Sequence, residues 1–63
     1  MLAIRDKREA LNITQSELAE QMGVKRNTIS QWETGSRHPD HNKIPDLAAA
    51  LGCTIDELYG KEG

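Results

Sequence analysis

Phenylalanine is absent from this 63-residue chain and aromatic residues amount to only 3 %, so the core must be assembled from Leu, Ile, Ala, Val, Met and the single Trp32. The one cysteine, Cys53, excludes an internal disulfide and suits a reducing compartment. No apolar run approaches the roughly 20 residues of a membrane span, or the length of a signal-peptide core. The expectation is a cytoplasmic protein with no membrane partner. Also missing are a paired general acid and base, an activated nucleophile and a phosphate-cradling loop, so no enzymatic activity, cofactor or small-molecule ligand is implied. With no repeat, low-complexity tract or linker, residues 1–63 read as one small domain whose core is marginal for its size, and dimerisation would add to its stability.

Lysine and arginine number 8 against 10 aspartates and glutamates, a net charge of −2, so the basic excess usual in nucleic-acid-binding domains is lacking. Distribution matters more than the sum. Up to His38, Arg5, Lys7, Arg8, Lys25, Arg26 and Arg37 slightly outnumber Asp6, Glu9, Glu17, Glu20 and Glu33. Beyond it, Lys43 and Lys61 face Asp40, Asp46, Asp56, Glu57 and Glu62. A molecule polarised in this way approaches a polyanion with one end forward, and binds non-specific DNA less strongly than a basic domain does.

What is present is concentrated between Thr14 and Gly35, in TQSELAEQMGVKRNTISQWETG. Thr14 and Glu17 have the spacing of a capping box, which predicts a helix starting near Gln15. Leu18 and Met22 give that helix an apolar stripe, Ala19 permits close crossing, and Gly23 can end it in a left-handed residue that turns Val24 inward. A second helix, from about Arg26 to Glu33, places Ile29 and Trp32 on one side. Asn27, Ser30, Gln31 and Thr34 then point outward, with Arg26 at the flank. The outward face is polar and nearly free of acid. Asn and Gln can bond the adenine edge and Arg the guanine edge, as a major-groove reader requires, and Lys25 can reach a phosphate or a base.

Two helices joined by a glycine turn are the layout of a helix-turn-helix. The chain resembles the phage repressor and Cro family, the XRE-type helix-turn-helix domains, from about Ile4 to Leu58. The resemblance rests on Thr14-Gln15, Leu18-Ala19, Gly23-Val24, Ile29-Ser30, Glu33, Gly35, Pro39 and Leu51-Gly52 at the spacing that family uses. It implies an all-α bundle of five short helices, at about 2–11, 15–22, 26–33, 43–51 and 55–59, with the third in the major groove. It also implies a transcriptional regulator, most simply a bacterial or phage repressor, acting as a homodimer on a pseudo-palindromic duplex operator. Carried over residue by residue, Arg26, Asn27 and Gln31 meet base edges with Lys25 and Ser30 as auxiliary contacts. Gln15, Thr34, Ser36 and Arg37 meet phosphates, the loop amides joining them. Arg8 and Glu33 match positions that pair in this family and are expected to be a structural ion pair. The dimer surface is expected toward the C-terminal helices, at Leu58 and Tyr59.

Two positions depart from the family pattern. Lys25 stands where a serine or threonine cap is common, which costs the third helix roughly 1 kcal/mol and sets a cation at the positive end of its dipole. Pro45 lies where the fourth helix is expected and lacks the amide an interior turn uses; Asn42 rather than Asp40 is the expected cap, which puts Pro45 harmlessly in the first turn. Elsewhere, Ile4, Arg8 and Leu11 share a face, with Asn12 able to end the first helix and Ile13 entering the core. Ile44, Leu47, Ala48 and Leu51 follow helical spacing up to Gly52. Thr54 and Glu57 repeat the capping-box spacing, with Ile55 and Leu58 inward, and Gly60 to Gly63 read as a frayed end.

Other readings of single residues are weaker. His38, Asp40, His41 and Cys53 match no zinc spacing, so no metal is expected. Trp32 as a platform for single-stranded nucleic acid conflicts with its place beside Ile29. A protein-interaction module, antitoxin-like or an adaptor with the acidic C-terminal half as its surface, is the alternative function for the same fold.

Overall fold

Helix starts and stops set the architecture. The computed structural model describes residues 2–60, in which the elements are α1 (Ile4–Ala10), α2 (Gln15–Met22), α3 (Arg26–Thr34), a 3-10 turn (His41–Lys43), α4 (Ile44–Ala50) and α5 (Ile55–Leu58). No strand occurs among the described residues, so the fold is all-α, and none of these helices is long and apolar enough to cross a membrane. The end expected to fray lies, beyond Gly60, outside the described residues.

α2 and α5 begin in the same way. The Glu17 amide donates to Thr14 Oγ1 at 3.0 Å while the Thr14 amide donates to the Glu17 carboxylate at 2.7 Å, and Thr54 with Glu57 repeats this at 3.1 and 2.8 Å. Each box satisfies donors that the first turn leaves open. The Thr54 amide, the positive charge of Lys7 and the Thr54 hydroxyl together hold the Glu57 carboxyl below its ordinary 4.5. Since the native state favours the charged form, this contribution is complete above the ordinary value and is lost as pH falls through the lowered one. Glu57→Gln should therefore flatten part of the decline in Tm on acidification below about 4.5; a Tm–pH profile parallel to wild type would contradict it.

The ends of α1, α2 and α4 share a second device. Asn12, Gly23 and Gly52 adopt φ of 58°, 71° and 67°, and the next amide reaches back to close the helix: Ile13 to the Arg8 carbonyl at 3.3 Å, Val24 to Ala19 at 2.9 Å and Cys53 to Ala48 at 3.0 Å. In each case that next residue then packs on the core. At Gly23 a Cβ would meet nothing within 4 Å, so the left-handed backbone alone calls for glycine there.

Ile4, Leu18, Ile29, Leu47 and Leu58 are fully buried, so every helix contributes one side chain to the centre. Four expectations need correction. The first helix begins at Ile4 rather than Leu2, because the Ala3 amide is bonded at 2.7 Å to the Leu58 carbonyl and ties the chain start to α5. Leu2 is nonetheless buried, whereas Leu11, just past the last turn of α1, is 47 % exposed and is not a core residue. Ile55 is also outward, at 41 %, because α5 is a single turn in which Leu58 alone reaches the core. Pro45 does sit in the first turn of α4, but Asn42 is not its cap. The 3-10 turn, closed by the Lys43 amide on the Asp40 carbonyl at 2.8 Å, leads directly into the helix and stands in for a side-chain cap.

Candidate nucleic-acid interface

α3 packs chiefly against α2 and is attached through Ile29 and Trp32, both buried. That attachment leaves Asn27, Gln31 and Thr34 on the opposite side, where all three are exposed, with Lys25 and Arg26 exposed at the leading end. Ser30 is half-buried, because it lies on the flank between Arg26 and Glu33 instead of at the crest. Glu33 is the sole acid of α3, so the crest carries amides, a hydroxyl and no negative charge. Lys25 takes an extended backbone and caps nothing with its side chain, leaving the first turn of α3 without the kind of closure that α2 and α5 possess.

Along one flank of α3 runs a relay of polar contacts. Arg8 Nε donates to Glu33 Oε2 at 2.7 Å, Arg8 Nη2 to Glu33 Oε1 at 3.4 Å and Arg8 Nη1 to the Ile13 carbonyl at 2.8 Å. Both side chains are largely enclosed, at 12 % and 5 % exposure, and the hydrogen bond to Glu33 raises the Arg8 pKa further above its already high ordinary value. Glu33 Oε1 also accepts from Gln15 Nε2 at 3.0 Å. The other end of the same amide, Gln15 Oε1, accepts from Arg26 Nη1 at 3.2 Å, and Arg26 Nη2 donates to Asn27 Oδ1 at 3.2 Å. Among the described residues no buried side-chain nitrogen or oxygen is left without a partner.

Sequence spacing alone does not reveal this relay. Gln15, a phosphate contact by family resemblance, is half-buried between Glu33 and Arg26, with one amide hydrogen still uncommitted. A helical wheel holds the missing signal, since Arg26 and Glu33, seven residues apart, lie on the same flank of α3. The second helix starts beside that flank.

The loop after α3 also differs from expectation. Gly35, at φ 87°, folds the chain back so that the Gly35 and Arg37 amides both donate to the Gln31 carbonyl, at 3.0 and 3.2 Å. The Ser36 amide approaches Thr34 Oγ1 at 3.5 Å, and the Thr34 and Ser36 hydroxyls are paired at 3.1 Å. These amides are therefore committed internally and do not face outward. The side chains of Thr34, Ser36 and Arg37 remain exposed. Cys53 is half-buried, and burial pushes its thiol up, the reverse of what an attacking thiolate requires.

The arrangement is a polar, acid-free ridge on a buried base, and comparison with known proteins places it in a family. A family model described as helix-turn-helix matches residues 4–58. The helix-turn-helix-type transcriptional activator BcrR of Enterococcus faecalis is 40 % identical over 55 residues, which cover 87 % of this chain and 27 % of that protein. The cryptic phage CTXphi transcriptional repressor RstR of Vibrio cholerae is 31 % identical over 58 residues, or 92 % of this chain and 52 % of its own length. A helix-turn-helix-type transcriptional regulator of Methanothermobacter thermautotrophicus is 45 % identical over 57 residues, covering 89 % of this chain and 83 % of the relative. The chain thus spans about a quarter of the first of these relatives and about half of the second. A match from α1 to the end of α5, with the glycine turn between α2 and α3 in place, assigns the protein to the helix-turn-helix family of the phage repressor and Cro type.

Proposed function

We propose that the protein is a sequence-specific, cytoplasmic transcriptional regulator that lays α3 in the major groove of duplex DNA and represses by occupying a promoter. The observation that carries this reading is the outward, acid-free face of α3 above a buried Ile29 and Trp32. Arg26, Asn27 and Gln31 are the base-contacting residues in this proposal, with Lys25 and Ser30 beside them; Gln15, Thr34, Ser36 and Arg37 meet phosphates. RstR is named a repressor and BcrR an activator, and their likeness to nearly the whole of this chain supports regulation in either direction. Repression follows if the site overlaps the promoter. Binding alone accomplishes this, with no catalytic step.

A homodimer on a pseudo-palindromic operator belongs to the same proposal. The longest dimension of the described residues, 32 Å, is comparable with the spacing of about one DNA turn, roughly 34 Å, that two α3 helices of such a dimer would need. Leu58, expected at the dimer surface, is fully buried in its own core, which leaves Ile55 and Tyr59 as the apolar pair there, 41 % and 43 % exposed and one helical turn apart. This same pair is the observation that favours the alternative, an interaction module docking a different protein.

Mobility shift against a randomised duplex pool tests the reading, since a regulator retains a subset of sequences whereas an interaction module retains none. Gln31→Ala should relax preference at one base position and cost about 1 to 3 kcal/mol of specific affinity. Arg37→Ala should instead weaken binding to all duplexes alike and reduce the salt slope by about one unit. Equal losses on specific and random DNA from both variants would exclude Gln31 as a base contact.

A further inference from the structure

We infer that the relay from the Arg8–Glu33 pair through Gln15 turns Arg26 and Asn27 into a single donor-only reading head, which selects guanine at the base pairs beneath the start of α3. The inference rests on the DNA-reading function proposed above and adds which base the head takes.

Donors and acceptors along the relay decide its orientation. Both oxygens of Glu33 are acceptors only, so the Gln15 amide has to turn its N–H toward Glu33, and its carbonyl is thereby directed at α3. A carbonyl in that position is satisfied by a donor, and Arg26 supplies it. The guanidinium is in this way held against α2 by a partner whose orientation is set by a largely enclosed ion pair. Of the five N–H groups of arginine, one is directed to Gln15 and one to Asn27, and the remaining ones stay free to donate.

Asn27 is affected most. A free asparagine reads adenine with both ends of its amide, accepting from the exocyclic amine and donating to N7. Here Asn27 Oδ1 already faces the Arg26 guanidinium at 3.2 Å. Its second lone pair lies beside a cation, which weakens it as an acceptor and repels any amino group brought to it. Asn27 is left with its Nδ2 hydrogens, so the pair presents N–H groups and positive charge and no usable acceptor. Of the major-groove edges only guanine offers two acceptors, O6 and N7, without an amino group; adenine and cytosine both present an amine. An arginine already hydrogen-bonded to Gln15 also loses less freedom on binding than one with no partner.

Selection from a random duplex library, run in parallel with the wild-type chain, Arg26→Ala and Asn27→Ala, tests this. Both substitutions are at exposed positions, and thermal melting checks that the variants are folded. The expected result is an enriched wild-type motif carrying guanine at the positions whose preference Arg26→Ala erases, with Asn27→Ala erasing the same or adjoining positions. Replacing that guanine by 7-deazaguanine should weaken wild-type binding by about tenfold and leave Arg26→Ala binding unchanged. In Gln15→Leu, which removes the amide, the same positions should admit adenine beside guanine, a change of base identity that lost stability alone does not produce. Enrichment of adenine, cytosine or thymine there, or insensitivity to 7-deazaguanine, overturns the inference and leaves the DNA-reading function standing. If no sequence is enriched by the wild-type chain, the proposed function fails, and this inference with it.

Discussion

Arg8→Ala is expected to unfold the domain or come close to it, and Glu33→Ala to do the same. Each leaves a charge enclosed without its partner, a loss of about 3 to 5 kcal/mol. For a chain this short the whole folding free energy is on the order of 3 to 9 kcal/mol, so either variant removes a large part of it. The Ile13 carbonyl also loses the Arg8 donor that holds the α1–α2 connection. Urea denaturation followed by circular dichroism would show the loss as a lower midpoint, and a curve superimposable on wild type would refute the structural role. Replacing both partners together by apolar residues of similar volume, Arg8→Met with Glu33→Leu, should restore most of the stability, because no unpaired charge remains. Such a pair would still lack the carboxylate that orients Gln15.

Trp32→Ala should cost about 3 to 5 kcal/mol, and its Tm should fall accordingly. The indole is buried between α3 and the rest of the core, in the cluster containing Ile29, Leu18 and Leu47, and truncation leaves a cavity that short helices fill poorly. Trp32 is the only tryptophan, so its fluorescence reports on the same event: a blue-shifted emission in the folded state that moves to the red on unfolding. Were the indole a stacking platform for single strands, Trp32→Ala would melt as wild type does while losing single-strand affinity. That outcome would remove the buried base on which the reading of α3 depends.

Local chemistry made much of this molecule legible in its sequence. Thr14 with Glu17 and Thr54 with Glu57 announce helix starts, because a capping box requires only residues three apart. Gly23 and Gly52 announce stops by the backbone they permit, and Ile29 with Trp32 declares the buried side of α3. What escaped was set at a distance. Leu11 satisfies the helical period yet is exposed, since α1 ends one residue before it. Leu2 is buried because Ala3 is hydrogen-bonded to Leu58, at the other end of the chain. Gln15 reads as a surface residue at the start of α2 until folding brings Glu33 and Arg26 to either end of its amide. Asn42 has the residue type of a cap, but it lies inside the 3-10 turn whose backbone already supplies the closure.

The division of labour within α3 bears on how such a protein can diversify. Ile29, Trp32 and Glu33 hold the helix to the domain, while the exposed side chains of Asn27 and Gln31 take no part in that attachment. A lineage can thus exchange the outward amides one at a time and arrive at a new genomic address without passing through an unstable ancestor.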